Sequence, residues 1–325
     1  MRIDVCNGDA DGLCSVVQWR LHAPQEARLV TGLKRDIELL DRVQAQRGDE
    51  VLVCDLSMRR NHQALVRLLD AGASVRYFDH HAPGDIPVHP LLEAHIDTAG
   101  DTCSSLLVDR YLGGQFRAWA VVGAYGDNLN DVAERLAVDM GLSAQDRMRL
   151  RSLGEAINYN AYGDSVQDIY MAPEQVYEVL VRFADPLELL EHEKLGQELN
   201  ALRQGDLRLA QALAPYRQTQ DAQVYLLPDA AWSRRVIGTL GNALASAAPA
   251  RAHALLRAAP GGGFVVSVRA PQSAPGGAVD LCRRFGGDGR AGSAGIDQLP
   301  PHDLERFLDA FLTTRWGETS PARGA

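Results

Sequence analysis

Over the first 80 residues, short apolar β-rich runs alternate with helical patterns. Arg2–Cys6 reads as a strand, residues 12–21 as a helix, 27–31 as a second strand and 36–46 as a helix. Residues 51–55 form an apolar strand, and 59–71 form a helix with Leu65, Leu68 and Leu69 on one side. Residues 74–78 form a further strand. Apolar strands separated by helices predict an α/β fold with a doubly wound parallel sheet. Such sheets bind ligands beyond the carboxyl ends of their strands. Three polar clusters stand at those ends: Asn7 to Asp11, Asp55, and Asp79 to His81.

After Thr102 the pattern turns helical, over 104–112, 116–124 and 131–137. A charged helical stretch at 143–153 then leads into the segment from Asn158 to Asp164. Residues 186–213 read as one long polar helix or a pair. Beyond Pro215 a second α/β unit begins, with strands at 223–227, 253–257 and Phe264–Arg269 and helices at 234–245 and 278–285. The expected organisation is a first domain at 1–185, a helical connector at 186–218, a smaller α/β domain at 219–316 and a tail at 317–325.

At 46% hydrophobic and 23% charged, the 325 residues match an ordinary globular protein and exclude long disorder. No apolar run approaches the roughly 18–20 residues a membrane helix needs, and no signal-peptide pattern is visible. Five scattered cysteines suit reduced thiols, so a cytoplasmic location is expected. The net charge of −9 is uneven: from Ala222 onward 11 arginines and 8 acids leave +3, so residues 1–221 carry −12. An acidic first part disfavours nonspecific duplex binding unless cations intervene. Only Lys34 and Lys194 are lysines, against 31 arginines.

The polar clusters suggest metal chemistry. Asp9 and Asp11 flank Ala10 between a strand and a helix, where two carboxylates can face different cations; capping the helix is the alternative. Asp55 ends an apolar strand, where an unpaired carboxylate is costly, and could instead cap the next helix. Asp79-His80-His81 sets two imidazoles after a strand, which favours ligation or catalysis. Cys6, Cys14 and Cys54 flank these residues out of register and read as core positions.

This series resembles the DHH phosphoesterase superfamily, whose motifs are Asp-x-Asp-Gly, a strand-ending Asp, Asp-His-His and a further Asp in a helical region. The counterparts here are Asp9 and Asp11, Asp55, Asp79-His80-His81 and Asp127, with Asp97, Asp101 and Asp131 as nearby candidates for the last. The run from Phe285 to Gly295 resembles the glycine-rich signature of the family's substrate-binding domain, so the resemblance spans residues 1–316.

It implies two Mn2+ ions, with Mg2+ as an alternative, which activate a water for attack on phosphorus. Asp9 and Asp55 would hold one ion, and Asp11, Asp55, His80 and Asp127 the other. His81 would contact phosphate or move a proton beside Asp55. Arg269, Gly286, Gly287, Gly289 and Arg290 would bind substrate. Two departures stand out: Asn7 replaces a His or Asp found in many relatives, and Arg290 replaces a His.

The implied activity is a Mn2+-dependent phosphodiesterase acting on short single-stranded oligonucleotides, dinucleotides or nucleotide phosphates. The alternatives are a mononucleotide, pAp (3′-phosphoadenosine 5′-phosphate) or polyphosphate phosphatase, and a nucleotide-binding sensor with a decayed metal site. The expected partner is a nucleotide or short single strand, with no membrane; a homodimer is compatible with this reading.

Overall fold

The computed structural model describes residues 1–316; the tail expected at 317–325 lies outside the described residues. Contacts divide the chain into two units, Met1–Arg203 and Gln204–Ala325.

The first unit begins with β1 (Arg2–Cys6), α1 (Ala10–His22), β2 (Arg28–Val30), β3 (Glu50–Cys54), α2 (Met58–Asp70), β4 (Ser74–Asp79) and β5 (Leu92–Ile96). The helices α3 (Ser104–Tyr111), α4 (Arg117–Gly126), α5 (Asn130–Asp139), α6 (Ala144–Asn160), α7 (Pro173–Leu180), α8 (Pro186–His192) and α9 (Leu195–Gln211) follow. The five strands pair in parallel in the order β2-β1-β3-β4-β5. Side chains alternate across each strand. Cys6, Leu52, Cys54 and Phe78 therefore enter one core with α1, α3, α4 and α6. Val5, Val51, Val53 and Tyr77 enter the other, with Leu65, Leu68 and Leu69 of α2. Burying each such aliphatic side chain contributes about 1.5–3 kcal/mol. Helices on both faces make the sheet doubly wound, as the apolar strands predict.

Two local expectations fail. Residues 36–46 form only a 3-10 turn at Leu39–Arg42 instead of a helix. Asn61 of α2 accepts the Leu40 N–H at 3.2 Å and donates to the Ile37 carbonyl at 2.6 Å. A tertiary partner thus satisfies backbone groups that a helix would have paired internally. Strand β5 has no strong sequence signal, because this sheet-edge segment is only half-buried throughout.

The second unit continues from the end of α9 with β6 (Arg217–Gln218), β7 (Ala222–Leu226), α10 (Ala231–Ala247), β8 (Ala252–Ala258) and β9 (Phe264–Arg269). It closes with α11 (Ala278–Arg283), β10 (Asp288–Arg290), β11 (Ser293–Leu299) and α12 (Leu304–Leu312). Its mixed sheet has the order β10-β11-β9-β8-β7-β6, with β7 and β8 parallel and the other pairs antiparallel. The glycine-rich run pairs as the β10–β11 hairpin. Any Cβ on Gly287 would lie 2.1 Å from the Gly295 carbonyl oxygen, so strand pairing itself requires that glycine.

Candidate metal and active site

Each acid of the series is placed by a specific element. Asp9 caps α1, its Oδ1 accepting the Gly12 N–H at 3.1 Å. Asp11, in the first turn of α1, accepts the N–H groups of Ser104 and Ser105 at 2.8 Å each, one on either carboxylate oxygen, and so anchors the start of α3. Asp55 follows β3 with φ 57°, a left-handed conformation that Asp tolerates better than branched residues. Its N–H bonds the Phe78 carbonyl at 3.0 Å, tying the turn to β4. Asp127 caps the carboxyl end of α4. That end is pressed against α1 and α6: a Cβ on Gly126 would meet Ala10 Cβ at 2.3 Å, and one on Gly154 the Val122 carbonyl oxygen at 2.2 Å.

His80 Nε2 lies 3.3 Å from Asp55 Oδ1 and 3.9 Å from Asp127 Oδ2. His81 Nδ1 donates to Asp79 Oδ1 at 2.7 Å, while the other Asp79 oxygen is buried without a hydrogen-bond partner. Asp55, His80 and His81 each offer a ligating atom within 4.8 Å of the others. Asp97 pairs instead with Arg110 at 3.2 Å, and Asp101 and Asp131 are exposed.

The electrostatics reflect this crowding. Burial, followed by the charges of Asp9 and Asp11, pushes Asp55 well above the usual carboxylate range. Burial and the same two acids raise Asp127 to about 7. The hydrogen bond to Asp79 raises His81. Carboxyls that resist ionisation among themselves are a cation site in waiting. A donor set of carboxylate oxygens with imidazole suits Mn2+ or Mg2+ better than a thiolate-seeking metal. Cys6, Cys14 and Cys54 are buried in the core, and burial pushes their thiols up. The residues around Asp55 therefore fit a divalent ion.

Sequence reasoning noted Lys34 without giving it a role. The ammonium lies 2.5 Å from Asp9 Oδ2 and 3.0 Å from Asn158 Oδ1. Burial pushes Asp9 up, but Lys34 more than offsets this and leaves it below its ordinary value. Burial likewise opposes the Lys34 charge, and Asp9 reverses that effect. The only available signal was that lysine is rare in a chain rich in arginine.

In the second unit, Arg269 ends β9 and donates to Asn242 Oδ1 at 3.0 Å and Ser267 Oγ at 2.9 Å. Arg290 is exposed on β10. Both are in register with Ser293, and Arg269 also with His253, so the two arginines share one cross-strand row. Gly286 has φ 77° and open space around it, whereas a Cβ on Gly289 would lie 2.5 Å from Ala294 Cα.

No family model and no curated protein matches the chain. Solved structures do. Exonuclease RecJ bound to manganese aligns with TM-score 0.63 at 19% identity, over 96% of this chain and 89% of that one. RecJ in complex with Mn2+ from Thermus thermophilus gives 0.60 at 22%, over 95% of this chain and 51% of that one. The pGpG-specific phosphodiesterase PggH from Vibrio cholerae gives 0.56 at 16%, over 96% and 97%. The chain therefore shares the fold of these RecJ structures, as its motif order implied.

Proposed function

We propose that the first unit is a divalent-metal-dependent phosphodiesterase domain for short single-stranded oligonucleotides or dinucleotides, and that the second unit binds the nucleotide. The observation that carries this reading is the convergence of Asp55, His80 and His81 beyond adjacent parallel strands, with Asp127 beside them. The likeness to an exonuclease bound to manganese and to a pGpG-specific phosphodiesterase supports it. Asp55, His80 and Asp127 would hold the ion, with Asp9 and Asp11 as the further acids of the set. Mn2+ is the expected metal and Mg2+ the alternative. A bound divalent ion supplies Lewis acidity toward phosphoryl oxygens and lowers the pKa of water.

The remaining work falls to the protein's own groups. Asp79 orients the His81 ring and stabilises its charged form, so His81 can hold a proton for the leaving oxygen. Asp55 stays at the turn after β3 because the Phe78 carbonyl holds its N–H. In the second unit, the row of Arg269 and Arg290 offers guanidinium groups suited to phosphate. Gly286, Gly287 and Gly289 shape the backbone beside it.

The test is hydrolysis of a panel comprising pAp, two- to five-residue RNAs, cyclic dinucleotides and longer single-stranded DNA, with Mn2+ or with EDTA, and products read by mass spectrometry. Cleavage of the short diesters that EDTA abolishes is expected. Turnover of pAp alone would replace the diesterase with a phosphatase, and nucleotide binding without turnover would leave a sensor.

A further inference from the structure

We propose that the Lys34 ammonium occupies the position of one of the two cations that the motif series implies, so that the chain binds a single divalent ion next to a built-in positive charge. The inference rests on the metal-dependent reading above and concerns how its charge is balanced.

Both oxygens of Asp9 are committed, Oδ1 to the Gly12 N–H and Oδ2 to Lys34 at 2.5 Å. Lys34 is itself held in place. Its N–H donates to the Ala161 carbonyl at 3.0 Å, its own carbonyl accepts from Asn7 Nδ2 at 3.2 Å, and its ammonium also reaches Asn158 at 3.0 Å. Asn7 stands where many DHH sequences carry a His or Asp. Here its Oδ1 accepts the Asp9 N–H at 3.2 Å, so its amide secures both the acid and the lysine. The two loops touch without space between them: a Cβ on Gly8 would lie 1.9 Å from the Gly32 carbonyl oxygen.

The residue type points the same way. In a chain with 31 arginines and 2 lysines, the residue on Asp9 is a lysine. An ammonium is a compact point charge with three donors, a closer stand-in for a metal ion than a planar guanidinium fork. Backbone amides at the start of α3 occupy both oxygens of Asp11, so Asp55 and Asp127 are left to a divalent ion and Asp9 to the ammonium. One divalent ion and one ammonium balance those three negative charges.

Manganese binding distinguishes the arrangements. Calorimetric titration and metal analysis of the full chain should give one Mn2+, with the six-line resonance signal of an isolated ion. Lys34→Met should take up a second Mn2+ and show an exchange-coupled signal, and Lys34→Ala should do the same. Two ions in the unaltered protein would overturn the inference, as would a single ion in both the unaltered and the folded variant proteins. If neither variant folds, the count in the unaltered protein decides alone. Two ions with diester hydrolysis would leave the proposed function standing; one ion with no hydrolysis of any phosphoester would strike that function and leave the lysine assignment intact.

Discussion

Asp55 combines two demands that substitutions can separate. Its φ of 57° needs a side chain that tolerates the left-handed region, and its place among Asp9, Asp11 and Asp127 makes its charge costly without a cation. Asn meets the first demand and removes the charge. Asp55→Asn should therefore lower Mn2+-dependent hydrolysis by about 100-fold or more. In EDTA it should melt no lower than the unaltered protein, since it relieves repulsion. Asp55→Val should lose activity and also about 1–3 kcal/mol of stability, because a β-branched residue resists this conformation. Equal melting of the two variants in EDTA would mean that the turn is not strained. The carboxyl-end position of Asp55 was legible from the apolar strand before it; its backbone conformation was not.

Close helix packing sets where Asp127 stands at the end of α4. Gly154 lets α6 approach α4 within reach of the Val122 carbonyl, and Gly126 lets α4 approach the start of α1. Gly154→Ala should push α4 outward, costing about 1–3 kcal/mol by overpacking, and should weaken Mn2+ binding. Thermal melting alongside manganese titration checks both; lost stability with unchanged affinity would separate this packing from the site. A helical sequence pattern locates α4 and α6 but carries no record of which face meets which. The failed helix at 36–46 has the same origin, since Asn61, from another element, supplies the competing hydrogen bonds.

At the scale of the whole molecule, the two units should respond to different solution conditions. Mn2+ that binds only the folded first unit should stabilise it by about 2.7 kcal/mol at 100 times its Kd, leaving the second unit's transition in place. The second unit contains its own acid sensitivity. His253 on β8 is fully buried, and burial holds its pKa below the usual 6.5. The unfolded chain therefore takes up a proton that the folded unit refuses. Stability is full above about pH 6.5 and declines as the pH falls below it. Urea unfolding at pH 7.5 and 5.5 should reveal this loss, and His253→Leu should remove it. An unchanged acid slope in that variant would assign the sensitivity to another group.

By itself, the sequence determined the alternation of strands and helices, the parallel sheet in the first unit, and the presence of Asp9, Asp55, Asp79, His80 and His81 near strand ends, because apolar alternation is a local pattern that marks where a strand stops. Only the tertiary structure decided which groups meet. Lys34 reaches Asp9 across 25 residues and Asn158 across 124, Asp11 anchors a helix that begins 93 residues later, and Arg269 and Arg290 join one row through strand pairing. Such pairings depend on loop closure and on the packing of distant elements, and neither leaves a periodic trace along the chain.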